Sequence, residues 1–142
     1  MSTPPKITRS DSFFFRTGDV ILQAPLSTPI TAPTPTAAAV VQFKVHASML
    51  SLASSFFRAL VEDLGVSRDA GGGGETVIFP LTDHASVVRR FLVWLYHPYC
   101  ECRATCFEGT REKLAQLEAF ADKYDVPVLL SECARVAGAR AL

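Results

Sequence analysis

The sequence has no charge of either sign to spare: fourteen Lys and Arg are balanced by fourteen Asp and Glu. A chain that grips a phosphate backbone usually carries a basic excess, so nucleic acid is not expected as a partner. No run approaches the roughly 18 apolar residues of a membrane-crossing helix. The opening stretch, MSTPPKITRSDSFFFRTGD, lacks the apolar core of a secretory signal. The expected setting is therefore intracellular, cytoplasmic or nuclear, with thiols kept reduced and no membrane partner. Paired carboxylates, or a nucleophile beside a base, are not placed together anywhere, so neither catalysis nor a cofactor is expected. The glycine run DAGGGGE (69–75) lacks the Lys-Ser/Thr that a phosphate-cradling loop requires, and Glu75 follows its last glycine. Internal repeats are absent. So are acidic residues from His84 through Cys100.

What remains is apolar. Hydrophobic residues make up 49% of the 142 and the mean hydropathy is +0.22. This suits one domain with a substantial core, or one with apolar surface reserved for a partner. Three segments interrupt it. Residues 1–16 read as a flexible N-terminal extension. Residues 24–39, APLSTPITAPTPTAAA, read as a low-complexity loop insert, because prolines remove donors and Thr and Ala build no core. Residues 69–75 read as a Gly-rich linker.

Between them the periodicity is legible. Segment 19–23 (DVILQ) reads as a strand, and 40–46 (VVQFKVH) alternates as one, so the pair forms an antiparallel hairpin around the Pro/Thr loop. From Ala47 the period becomes helical. Met49, Ala53, Phe56 and Leu60 form a stripe, with Leu50, Phe57 and Val61 beside it, on one long helix or two short ones. Segment 76–81 (TVIFPL) alternates again, and Pro80 confines it to a strand end or a sheet edge. Asp83 is placed to cap the next helix, whose buried face is Val88, Phe91, Leu92 and Leu95. Thr110 caps a helix with Leu114, Leu117, Ala121 and Tyr124 on one side. Asp125 and Pro127 then introduce a last helix carrying Leu129, Cys133 and Val136 and closing near Gly138. The expected fold class is α+β: about five to six helices with a small, mainly antiparallel three-stranded sheet.

The blocks DVIL, FKVH, SMLSLASSFFRAL, TVIFPLTDHASVVRRFLVWLYH and LAQLEAFADKYDVPVLLSECA, in that order, resemble a BTB/POZ domain over residues 17–142. The similarity is greatest to the BTB proteins of fungi. The resemblance implies a non-catalytic protein–protein interaction module: self-association, assembly of transcription regulators, or service as an adaptor for cullin-type ubiquitin ligases. It also implies that His46 and Asp19 are structural. In the transcription-factor branch a basic residue follows the histidine and shares a charged pocket with the aspartate, whereas here Ala47 follows. Cullin-binding members often carry a hydrophobic-x-Glu element, and this chain offers Val88-Arg89-Arg90 near the corresponding helix.

Three sets of residues are candidates for function. Arg89, Arg90 and Val93 fall outside the core stripe of their helix and Trp94 at its margin, a combination favoured at interfaces. Phe13, Phe14 and Phe15 form an aromatic cluster suited to extending a strand, covering the core or touching a partner. His97, Cys100, Cys102 and Cys106 are four soft ligands within ten residues. Their C-x-C-x3-C spacing departs from the paired C-x2–4-C of structural zinc sites, so no metal is expected and a small metal-binding protein is the weaker alternative. Expected partners are other proteins, as homo- or hetero-oligomers, with a cullin as the alternative.

Overall fold

The computed structural model describes residues 7–26, 39–63, 77–97, 107 and 109–141. In chain order it comprises β1 (Ile7–Phe14), β2 (Val20–Pro25), β3 (Val40–Val45), α1 (Ala47–Ala53), α2 (Ser55–Asp63), β4 (Val77–Pro80), α3 (Ala85–Tyr96), α4 (Arg111–Lys123) and α5 (Pro127–Ala141). The class is the expected α+β, but the sheet differs. It has four strands in the order β1-β3-β2-β4, and of its three pairings only β2–β3 is antiparallel. The β2–β3 hairpin forms as the alternation predicts, with Val20 opposite Val45 and Leu22 opposite Phe43. Pro80 is the last residue of edge strand β4, where its missing N–H costs no ladder bond.

The additional strand is β1, which occupies residues expected to be loose. Its sequence ITRSDSFF has little alternation because its register against β3 breaks between Arg9 and Phe14. The strand is held at one end. Phe13 is 1% exposed and packs edge-on to Phe15 and beside Tyr96, while the Phe15 N–H donates to the Lys44 carbonyl at 2.9 Å. Gly18 then lets the chain turn into β2 against β3: a Cβ there would lie 2.9 Å from the Val45 carbonyl oxygen. Of the expected loop 24–39, residues 24 and 25 belong to β2 and 27–38 lie outside the described residues, as do 69–75.

One face of the sheet, with Val20, Leu22, Ala24, Phe43 and Val45, packs into the core. The centre of that core is α3, of which Ala85, Val87, Val88 and every residue from Phe91 to Leu95 are buried. Aromatic rings link it outward: Phe91 lies 6.4 Å from Phe57 of α2 and 5.0 Å from Phe120 of α4, and Phe57 stacks on Tyr124 at 5.1 Å. Leu114, Leu117 and Ala121 of α4 and Tyr124 at its end are buried, as the stripe predicts, Phe120 is buried beside them, and Thr110 caps that helix. The stripe on the preceding helices is displaced by one residue. Ser54 breaks them with an extended backbone, and its Oγ accepts from the Phe57 N–H at 3.0 Å to cap α2. Leu50 and Phe57 are thereby fully buried, and Phe56 turns outward at 44% exposed.

Candidate partner-binding surfaces

His46 and Asp19 sit where β2, β3 and α1 meet. The His46 backbone N–H donates to Tyr96 Oη at 2.9 Å, and the ring lies 3.0 Å from the same oxygen through Nδ1 and 2.8 Å from Thr17 Oγ1 through Nε2. The ring thus ties the β1–β2 connection to the end of α3, through side chains rather than the backbone groups at its own position. Asp19 Oδ1 accepts from the Ala47 N–H at 2.7 Å. From just before β2 it supplies the cap that His46, the residue at the helix start, does not give α1. Partial burial and, more weakly, the Asp19 charge raise the Tyr96 phenol above its ordinary range, against the lowering effect of the bond from the His46 N–H.

A groove of about 630 Å³ opens beside this junction, lined by Asp19, Ala47, Ser48, Ser51, Leu52, Arg58 and Val61. Leu52 is 84% exposed, the most exposed large apolar side chain among the described residues. Arg58 of α2 enters the same groove as Asp19, so a basic group faces that pocket although Ala47 holds the position after the histidine. A second groove, about 480 Å³, runs between α2, β4 and the end of α4. Phe56, Leu60, Ile78, Pro80 and Tyr124 give it an apolar floor, with Lys123 and Thr82 at its side. Its wall is a hydrogen-bonded seam. Tyr124 Oη donates to Asp83 Oδ2 at 2.5 Å, Lys123 Nζ lies 3.2 Å from the same oxygen, and Ser54 Oγ donates to the Tyr124 carbonyl. Asp83 is thereby committed to the seam, and His84, accepting from the Ser86 N–H, caps α3 in its place. Burial, then the bond to Asp83 and its charge, raise the Tyr124 phenol far above the ordinary range.

The residues singled out from sequence fall elsewhere. Val93 is buried rather than outward-facing, and Trp94 is 5% exposed and donates from Nε1 to Glu132 Oε2 at 2.5 Å. The reason is that α3 is packed on more than one side, by the sheet and by α4 and α5, so its margin is interior too. Arg89 is exposed and Arg90 half-buried. Phe13 is core, and Phe14 and Phe15 are half-buried. His97 is exposed at the end of α3, its ring 6.1 Å from Phe13. Cys100, Cys102 and Cys106 lie outside the described residues. Cys133 is fully buried, and burial, then Glu118 and Glu132, push its thiol up to about 11. Sequence reasoning missed Leu52 and Ile78 and counted Phe56 as core. The adjacent serines at 54 and 55 were the available signal, since a helix start there rotates the stripe.

A sheet with this hairpin, flanked by helices in this order, matches known proteins. The family model for the BTB/POZ domain matches residues 37–139. The chain belongs to the BTB/POZ family. The BTB domain of zebrafish PATZ1 superposes with a TM-score of 0.51 at 16% identity, covering 85% of this chain and 75% of that one. The BTB domain of human Gigaxonin gives 0.55 at 15%, covering 88% and 81%. At such identities these two establish the shared fold alone. No curated protein matches the sequence significantly. This BTB domain is a protein–protein interaction module.

Proposed function

We propose that the domain self-associates through the α1–α2 face. The observation that carries this reading is Leu52, 84% exposed on a helix whose other large apolar residues are wholly or partly covered. Fully burying a leucine contributes roughly 1.5–3 kcal/mol, and small Ala47, Ser48 and Ser51 beside it let a second helix approach closely. Asp19 and Arg58 at the groove would set orientation more than strength. The test is sedimentation equilibrium over a wide concentration range. Wild type should show a reversible dimer, and Leu52→Asp should remain monomeric with its melting temperature kept. A wild-type chain that stays monomeric throughout, or a mutant that dimerises equally well, overturns the reading.

A second reading, a cullin-ligase adaptor, draws support from the second groove. An adaptor holds two proteins, and Phe56 and Ile78, 44% and 47% exposed, offer apolar anchors separate from Leu52. Calorimetric titration with the N-terminal domain of a cullin decides it: binding lost on Phe56→Asp supports the reading, and no heat with wild type removes it.

A further inference from the structure

The face of the sheet turned away from the core meets the second groove at Ile78 and Pro80 and, beyond it, presents a charged patch that neither groove includes. Strand register lays its side chains in rows. Phe14, Lys44, Ile21 and Ile78 cross β1, β3, β2 and β4 in one row, and Arg9, Gln42, Gln23 and Pro80 in the next. Gln42 Nε2 donates to Gln23 Oε1 at 2.9 Å, which satisfies the amides in the middle of the second row. The cations are not satisfied in this way. The Arg9 guanidinium lies 4.9 Å and Lys44 Nζ 5.9 Å from the centroid of the same Phe14 ring. The only ion pair between described residues in the structure is Lys123 with Asp83, at the seam. Two like charges therefore lie against one aromatic ring, and neither is paired with a carboxylate among the described residues. Lys44 is half-buried there, where screening is weaker than in bulk water.

We infer that this outer sheet face docks a segment of a partner protein that carries carboxylates beside apolar side chains. A carboxylate placed beside the Phe14 ring would pair with either cation and offset their repulsion. An apolar side chain about 10 Å farther along the segment, two strand spacings across the same row, would reach Ile21. Charge complementarity of this kind chiefly sets selectivity and encounter rate. The face favours a protein ligand over other polyanions, since its two cations sit among apolar and neutral side chains and the chain as a whole has no basic excess. The inference rests on the family's role in protein binding but not on the α1–α2 reading.

The experiment is selection of random-sequence peptides on phage against the full chain, with the selected peptides titrated by fluorescence anisotropy. The expected outcome is enrichment of peptides combining Asp or Glu with apolar residues. Their affinity should fall about tenfold or more in Lys44→Glu and similarly in Arg9→Glu, both with unchanged melting temperature. Phe14→Leu, which keeps an apolar side chain but removes the ring, checks the patch should a charge reversal perturb the sheet. Leu52→Asp and Phe56→Asp should bind as wild type does, which separates this inference from both readings above. Enrichment without acidic residues, binding that survives the charge reversals, no enrichment, or equal lysine-dependent binding to phosphatidylserine vesicles would each overturn it.

Discussion

Two helical stretches with similar sequence character end in opposite places. In α3, ASVVRRFLVWLY, eight of twelve residues are buried, Trp94 included. Across α1 and α2, ASMLSLASSFFRALVED, the fully buried apolar side chains are Ala47, Leu50 and Phe57, and Leu52 and Phe56 are left exposed. The difference is one of position. The α3 helix is enclosed by the sheet and by α4 and α5, so even its margins are interior. The α1–α2 pair lies at the periphery and has one face to bury. An aromatic or β-branched residue at the margin of a stripe is therefore a poor guide to a binding surface. An uncovered Leu on a peripheral helix, beside small residues, is a better one.

The sharpest way to break the comparison is a matched pair of truncations. Trp94→Ala should cost about 3–5 kcal/mol, because it opens a cavity in α3's packing and removes the donor to Glu132. Leu52→Ala should change stability by less than about 0.5 kcal/mol. Urea midpoints, measured at a concentration where the chain is monomeric, check both. Equal losses would show that the two regions are not distinguished by enclosure.

Much of this arrangement was legible beforehand, and the exceptions share a cause. The β2–β3 hairpin, the capped α4 and the buried stripe of α3 follow from periodicity and caps, which are local. Strand β1 was not legible, since only Phe13 of its eight residues is fully buried and its register breaks in the middle. Nor was the capping of α1 by Asp19, 28 positions earlier in the chain. The exposure of Phe56 depends on the break at Ser54. That serine accepts from the Phe57 N–H locally but donates to the Tyr124 carbonyl from far along the sequence. Local pattern identifies elements; which flank of a helix is covered depends on what packs there.

The His46 junction sharpens the comparison, because it joins the peripheral α1 to the enclosed α3. His46→Ala removes the ring contacts to Thr17 and Tyr96 but keeps the backbone N–H bond to Tyr96 Oη. The expected loss is roughly 1–3 kcal/mol, smaller than for Trp94. The Phe15 ring, 5.3 Å from the imidazole and tilted 35° to it, should become more mobile, which hydrogen exchange across residues 13–18 would register. An unchanged midpoint together with unchanged exchange would mean that Phe15 and Gly18 suffice to hold the β1–β2 connection.

A smaller effect than either Trp94 or His46 gives concerns the seam that fixes α2 against α4. The Tyr124 ring stacks on Phe57 and its hydroxyl donates to Asp83. At neutral pH, Tyr124→Phe keeps the stacking and loses one hydrogen bond, about 1 kcal/mol, with Asp83 still paired to Lys123. The pH dependence is more telling. In the unfolded chain the phenol titrates near pH ~10. In the folded chain burial, and then Asp83, hold it protonated well above that. The folded state thus keeps a proton that the unfolded state releases. The stabilisation is fully present below about pH 10 and is lost as pH rises above it, at up to about 1.4 kcal/mol per pH unit. Tyr96 and Cys133, also raised, contribute in the same direction but are common to both proteins. Denaturant midpoints of wild type and Tyr124→Phe, followed from about pH 8 to about pH 11, should therefore run parallel at first and converge at the alkaline end. Curves that stay parallel throughout would place the Tyr124 hydroxyl in water, and α2 would then be held by the ring stacking and Ser54 alone.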